Sequence, residues 1–86
     1  MHPHVNITVR YFAAARAAAG VDSETIELPT GATLVDLASL LASRDAGLSA
    51  VLARCSYLCD GVAVRHREIA LRDTQTIDVL PPFAGG

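Results

Sequence analysis

The sequence predicts an α+β domain: a mixed sheet with one main helix packed across one face, followed by an extended C-terminal tail. Three observations predict it. An alternating apolar and polar segment lies near the N-terminus, one helical stripe with a capping signal occupies the middle, and a short last strand runs into Pro81-Pro82 and a Gly85-Gly86 end. At 86 residues there is room for a single small core, burying about 60 to 70% of the unfolded surface.

Val5-Asn6-Ile7-Thr8-Val9-Arg10-Tyr11 alternates without a fault, the pattern of a half-buried strand with Val5, Ile7, Val9 and Tyr11 facing inward. Ala13 to Ala19, interrupted by Arg16, favours helix but is too short to be stable unaided, so a turn or short helix ending at Gly20 is expected. Ser23 to Leu28 reads as a second strand, antiparallel to the first, with Ile26 and Leu28 inward and Pro29-Thr30-Gly31 closing it. Thr33 then stands at an N-cap position with Asp36 three residues on, a weaker form of the capping-box acid. Leu34, Leu37, Ala38 and Leu41 form one apolar stripe, giving a helix from Leu34 to about Arg44.

Asp45-Ala46-Gly47 is expected to break that helix, with one further helical turn over Ser49 to Arg54. Cys55 to Cys59 and Val62 to Val64 flank Asp60-Gly61, a dipeptide suited to the positive φ values of a two-residue hairpin turn. Arg65-His66-Arg67 reads as a solvated basic loop, with contact to an acidic partner as the sharper alternative. Leu71 should anchor the next loop, Asp73-Thr74-Gln75 turns the chain, and Thr76 to Leu80 is the closing strand with Ile77 and Val79 on one face.

Composition excludes several functions. No apolar run approaches the ~20 residues of a membrane span, and Met1-His2-Pro3-His4 lacks the regions of a signal peptide, so a cytoplasmic protein without membrane contact is expected. A formal charge of -2 with few, scattered aromatics argues against nucleic acid. All seven basic residues are arginine; codon bias is the plainer reading, the absence of any side-chain amine to acylate the functional one. Cys55 and Cys59, if on one strand, lie about 13 Å apart, too far for a disulfide. They read as reduced, half-buried hydrophobes; two such ligands make no zinc site, and no metal is expected. No phosphate-binding GxxxxGK loop, HExxH motif or catalytic triad spacing occurs.

The chemically distinctive stretch is therefore the tail. Pro81 and Pro82 have no N–H and a fixed φ, so they end the strand ladder and favour an extended path away from the body. At 3.1 to 3.4 Å per residue, six residues carry the carboxylate of Gly86 roughly 19 Å beyond the last strand. Gly85 and Gly86 lack a Cβ, so a partner can close around the backbone, while Phe83 on a projecting tail implies an apolar pocket elsewhere to receive it. A carboxylate is a poor electrophile at pH 7. Group transfer at Gly86 would need activation, most simply as an acyl-adenylate made by a partner that binds ATP.

The order strand, strand, helix, hairpin, strand is that of a ubiquitin-like β-grasp fold, with residues 1–80 as the domain and 81–86 as the tail. Placing the last strand beside the first, as in that fold, gives the tail a firm base. Tyr11-Phe12-Ala13, Arg16, Gly20, Leu28-Pro29-Thr30-Gly31 with Thr33 and Leu37, Leu71 with Asp73, and Pro81-Pro82-Phe83-Ala84-Gly85-Gly86 resemble the sulfur-carrier (small) subunits of molybdopterin synthase. The resemblance runs from Val5 to the end and is most specific at the tail. Departures fall in turns: Asp73-Thr74-Gln75 stands where Gly-Asp is usual, and Asp60 where asparagine commonly leads.

The resemblance implies a carrier with no catalytic residues and no bound cofactor of its own. Gly86 would be adenylated by an ATP-using enzyme related to ubiquitin-activating enzymes, converted to a thiocarboxylate, and inserted into the catalytic large subunit to pass sulfur to precursor pterin. Pro81, Pro82, Phe83, Ala84 and Gly85 would be the partner-binding residues. The alternatives are a sulfur carrier for thiamine or cysteine synthesis, a ubiquitin-like modifier of target lysines, or a passive interaction domain.

Overall fold

The computed structural model describes residues 3–82. Strand β1 spans His4–Tyr11 and keeps the alternation of the sequence, with Val5, Ile7, Val9 and Tyr11 buried. Helix α1, Ala13–Ala19, follows directly. Of the turn or short helix the sequence allowed, the helix forms, because its alanines have high propensity and Ala15 is fully buried in the core. Gly20 ends it at φ +80°, donating its N–H to the Arg16 carbonyl at 2.9 Å.

Strand β2, Ser23–Pro29, pairs antiparallel with β1, Ile26 opposite Ile7. Leu28 is buried, but Ile26 is only half-buried, because β2 is an edge of the sheet and has a neighbour on one side alone. Helix α2, Leu34–Arg44, starts on a complete capping box. Thr33 Oγ1 accepts the Asp36 N–H at 3.2 Å while Asp36 Oδ2 accepts the Thr33 N–H at 2.8 Å. Leu34, Leu37 and Leu41 enter the core shared with Ile7, Val9, Ile77 and Val79.

The break expected at Asp45-Ala46-Gly47 is narrower than the sequence suggested. Only Asp45 leaves helical geometry; it ends α2 and caps helix α3, Ala46–Leu52, by accepting the Leu48 N–H at 2.8 Å. The helical turn placed over Ser49 to Arg54 therefore begins at Ala46 and ends at Leu52. Capping stabilises the first turn enough to carry Gly47 inside it.

Strands β3, Ser56–Cys59, and β4, Val62–Ala63, are joined by Asp60 at φ +49° and Gly61 at φ +84°, the paired positive angles read from Asp-Gly. Cys55 and Val64 flank these strands rather than belonging to them, although Val64 still donates its N–H to the Tyr57 carbonyl at 3.0 Å. Cys55 is buried instead of half-buried, and its thiol donates to the Val51 carbonyl at 3.2 Å. Both cysteines are free thiols, and burial raises the pKa of each, which disfavours the reactive thiolate. Leu71 anchors its loop as expected, buried and bonded through its N–H to the Ala32 carbonyl at 2.8 Å.

Strand β5, Thr76–Leu80, closes the domain. The five-stranded sheet runs β2-β1-β5-β3-β4, with β5 parallel to β1 and antiparallel to β3. The last strand is thus the central one. The three helices lie on one side, α2 being the longest, so the mixed sheet of the sequence expectation is the one observed.

Candidate functional site: the root of the tail

Everything that positions the tail converges on β5. Its inward residues Ile77 and Val79 are fully buried, and its neighbours hold it on both sides as far as Val79, opposite Tyr11 on β1, and on the β3 side to Leu80, opposite Ser56. Phe12 adds one more contact, donating its N–H to the Val79 carbonyl at 3.3 Å. Pro81, half-buried, and Pro82, exposed, then leave the sheet, where their missing donors end the ladder. Phe83, Ala84, Gly85 and Gly86, the remaining candidate site residues, lie outside the described residues.

On the face of the sheet away from the helices, Asp78 is buried at 5% exposure, the one buried charged residue among those described. Its Cα partner on β1 is Arg10, which donates from Nε to Asp78 Oδ1 at 2.5 Å and from Nη2 to Oδ2 at 2.7 Å. The hydrogen bond and charge of Asp78 raise the Arg10 pKa further. Arg10 also lies 5.7 Å over the Phe12 ring. A one-residue slip between β1 and β5 would separate this pair and turn Asp78 into the apolar core, so the pair fixes the register from which the tail starts.

A second polar cluster ties β1 to β2 and α2. Tyr11 donates its hydroxyl to Glu24 Oε2 at 2.6 Å, and Arg44 Nη2 donates to Glu24 Oε1 at 3.1 Å. Burial, then the bond to Glu24, pushes the Tyr11 phenol well above its ordinary value.

The basic loop divides. Arg65 and His66 are exposed, as read, but Arg67 is not a free solvated charge. Its Nη2 donates to the Cys55 carbonyl at 3.1 Å, its guanidinium lies 4.9 Å over the Tyr57 ring, and its carbonyl accepts the Val35 N–H at 3.0 Å. Arg67, exposed like its neighbours, straps the loop to the body, so the solvated loop expected there is tied down at this residue. The Arg10–Asp78 pair was missed for a different reason: its members stand 68 residues apart, and no local pattern joins them.

Among the described residues no cluster of three or more His, Cys, Asp or Glu is placed to hold a metal ion, and no helix is long and apolar enough to cross a membrane. A β-grasp sheet whose central strand runs into Pro81-Pro82 defines a ubiquitin-like domain. The chain belongs to the ThiS family, whose sequence profile matches residues 9–86. It is similar to the molybdopterin synthase sulfur carrier subunit of Chlamydomonas reinhardtii, 34% identical over 83 residues that cover 95% of this chain and 100% of that protein. A Pyrococcus furiosus protein assigned as molybdopterin converting factor subunit 1 has a TM-score of 0.83 and 32% identity, covering 92% of this chain and 99% of that one. A chain from the complex of subunits 1 and 2 of the molybdopterin-converting factor of Helicobacter pylori shares the fold, with a TM-score of 0.68 and 23% identity over 95% of this chain and 100% of that one.

Proposed function

We propose that this chain is the sulfur-carrier subunit of molybdopterin synthase, a cytoplasmic, non-catalytic donor whose working atom is the terminal carbonyl of Gly86. The observation that carries this reading is the likeness to the Chlamydomonas reinhardtii carrier over 95% of this chain and 100% of that protein, beside a family match that runs from residue 9 to Gly86. Family membership alone leaves open a thiamine or cysteine pathway, and the names of the relatives favour molybdopterin.

In this reading an enzyme related to ubiquitin-activating enzymes joins the Gly86 carboxylate to AMP from ATP, releasing pyrophosphate. A sulfur nucleophile then displaces AMP and leaves a thiocarboxylate. That sulfur is anionic at neutral pH and more polarisable than oxygen, hence a competent nucleophile. The large subunit, the counterpart of subunit 2 in the Helicobacter pylori complex, would enclose Pro81, Pro82, Phe83, Ala84 and Gly85 and bring Gly86 to precursor pterin. Water restores the carboxylate after each transfer, and two transfers complete the dithiolene.

The test is reconstitution. The chain is loaded with an activating enzyme, ATP and a sulfur donor, followed by intact mass, and then given precursor pterin and the large subunit. Molybdopterin should form; a chain whose mass never changes would count against any carrier role. A variant extended by one residue past Gly86 should keep its melting temperature and lose all loading, because its terminal carbonyl is displaced from the activating site.

A further inference from the structure

Beside the root of the tail, on the helical side of the sheet, a groove of about 310 Å³ is lined by Ala14 of α1, Ala50 and Val51 of α3, Arg54, and Pro81 and Pro82. We propose that this groove is a second docking point for the large subunit, taking one apolar side chain flanked by a carboxylate that pairs with Arg54. The inference rests on the functional reading above, since it takes the enzyme that receives the tail as its occupant.

The groove exists because α1 and α3 present alanines where they approach the tail root. A space of about 150 Å³ suffices for a benzene ring in a protein interior, so a leucine or phenylalanine side chain fits this larger, open one. Its lining is apolar except at Arg54. Arg10, Arg16 and Arg44 each have an acidic partner and Arg67 bonds the Cys55 carbonyl, whereas the guanidinium of Arg54, like those of Arg65 and Arg72, has no hydrogen bond or ion pair among the described residues, and of these three only Arg54 lines the groove. A guanidinium at the rim of an apolar groove is matched by a carboxylate, which it can bind in bidentate fashion.

Continuity with the tail decides who covers the groove. Pro81 and Pro82 are at once the foot of the tail and one wall of the groove. An enzyme that encloses the chain from Gly86 back to Phe83 meets Pro82 next, and so closes over Ala50, Val51 and Arg54. With a formal charge of -2 the chain has no general attraction for an acidic partner, so the pairing at Arg54 acts at short range and in one orientation. Such a contact selects the enzyme that threads the tail.

The test titrates the large subunit from the same genome with the full-length wild-type chain and with Arg54→Gln, Ala50→Leu and Arg65→Gln, at low and high salt. Ala50 is exposed on a helix and leucine is a good helix former, so Ala50→Leu fills the groove without disturbing the core. Arg54→Gln and Ala50→Leu should each weaken binding by about tenfold, and Arg54→Gln should flatten the salt dependence. Arg65→Gln should match the wild type, and all melting temperatures should agree. Wild-type affinity and salt dependence in both groove variants, with wild-type sulfur transfer intact, overturns the docking point and leaves the carrier reading standing. A wild-type chain that neither binds nor passes sulfur defeats the carrier reading, and this contact with it.

Discussion

Tyr11 offers a sharp test of how the tail root is held, because it stands opposite Val79 in the sheet and its hydroxyl reaches across to Glu24. Tyr11→Phe deletes one hydrogen bond to a charged acceptor, an interaction worth about 1.5 to 3 kcal/mol. Glu24 keeps its bond to Arg44 and its side chain is 20% exposed, so water can replace the lost donor and the carboxylate is not stranded. The lower end, about 1.5 kcal/mol, is therefore expected at pH 7. In a domain of this size that lowers the melting temperature by about 6 to 12 °C. The variant also has a pH signature. The folded-state phenol has a pKa raised above the ordinary 10.0, so the folded chain binds more protons than the unfolded one in the alkaline range. Stability is then fully present below about pH 10 and falls as pH rises from there towards the folded pKa. Tyr57, also raised by burial, contributes a similar slope of its own, so Tyr11→Phe should lessen the alkaline decline rather than abolish it. Thermal melts of both proteins from pH 7 to 11 read both effects. Equal melting temperatures at pH 7 together with parallel alkaline declines would refute the account of Tyr11 as a donor to Glu24.

Three further perturbations follow from the same contacts. Arg10→Leu alone strands the buried Asp78 carboxylate and should lower the melting temperature more than the double variant Arg10→Leu, Asp78→Leu, which removes both charges; a double-mutant cycle by urea denaturation measures the coupling. Thr33→Ala removes the acceptor of the α2 capping box and should cost about 1 kcal/mol in the same assay, with no change in sulfur loading below the melting transition. Gly61→Ala meets no atom within 4 Å, so its cost, about 1 to 2 kcal/mol in urea denaturation, should come from backbone strain at φ +84° alone.

What the residues reveal before any coordinates depends on how far apart the cause and the effect lie along the chain. The alternation of β1, the Thr33–Asp36 box and the Asp60-Gly61 turn are each written within a few residues, and each appears in the structure with the predicted geometry. Gly47 misled for the same reason: read locally it breaks a helix, and the compensation comes from Asp45, whose side chain serves as a cap only once α2 has ended there. The contacts of Arg67 were not legible because its acceptor, Cys55, and its ring partner, Tyr57, lie on the far side of the hairpin. The Arg10–Asp78 pair is the extreme case. Alternation places both residues on the outward face, where a charged pair is expected to be solvated, and only the parallel register of β1 and β5 brings them together, with Asp78 buried and Arg10 half exposed.

That parallel register also explains why Asp78, the one buried charge among the described residues, lies where it does. A tail at the end of an edge strand would inherit the fraying of that strand, since edge residues are held from one side only. Here the tail leaves the central strand, whose Ile77 and Val79 are fully buried and whose Asp78 is clamped by Arg10 two residues before Leu80. In the proposed reading, an enzyme that gripped residues beyond Pro82 would pull against the whole sheet, and the strand behind them would stay paired. The prolines sharpen the boundary: they cannot extend the ladder, so the strand ends at Leu80.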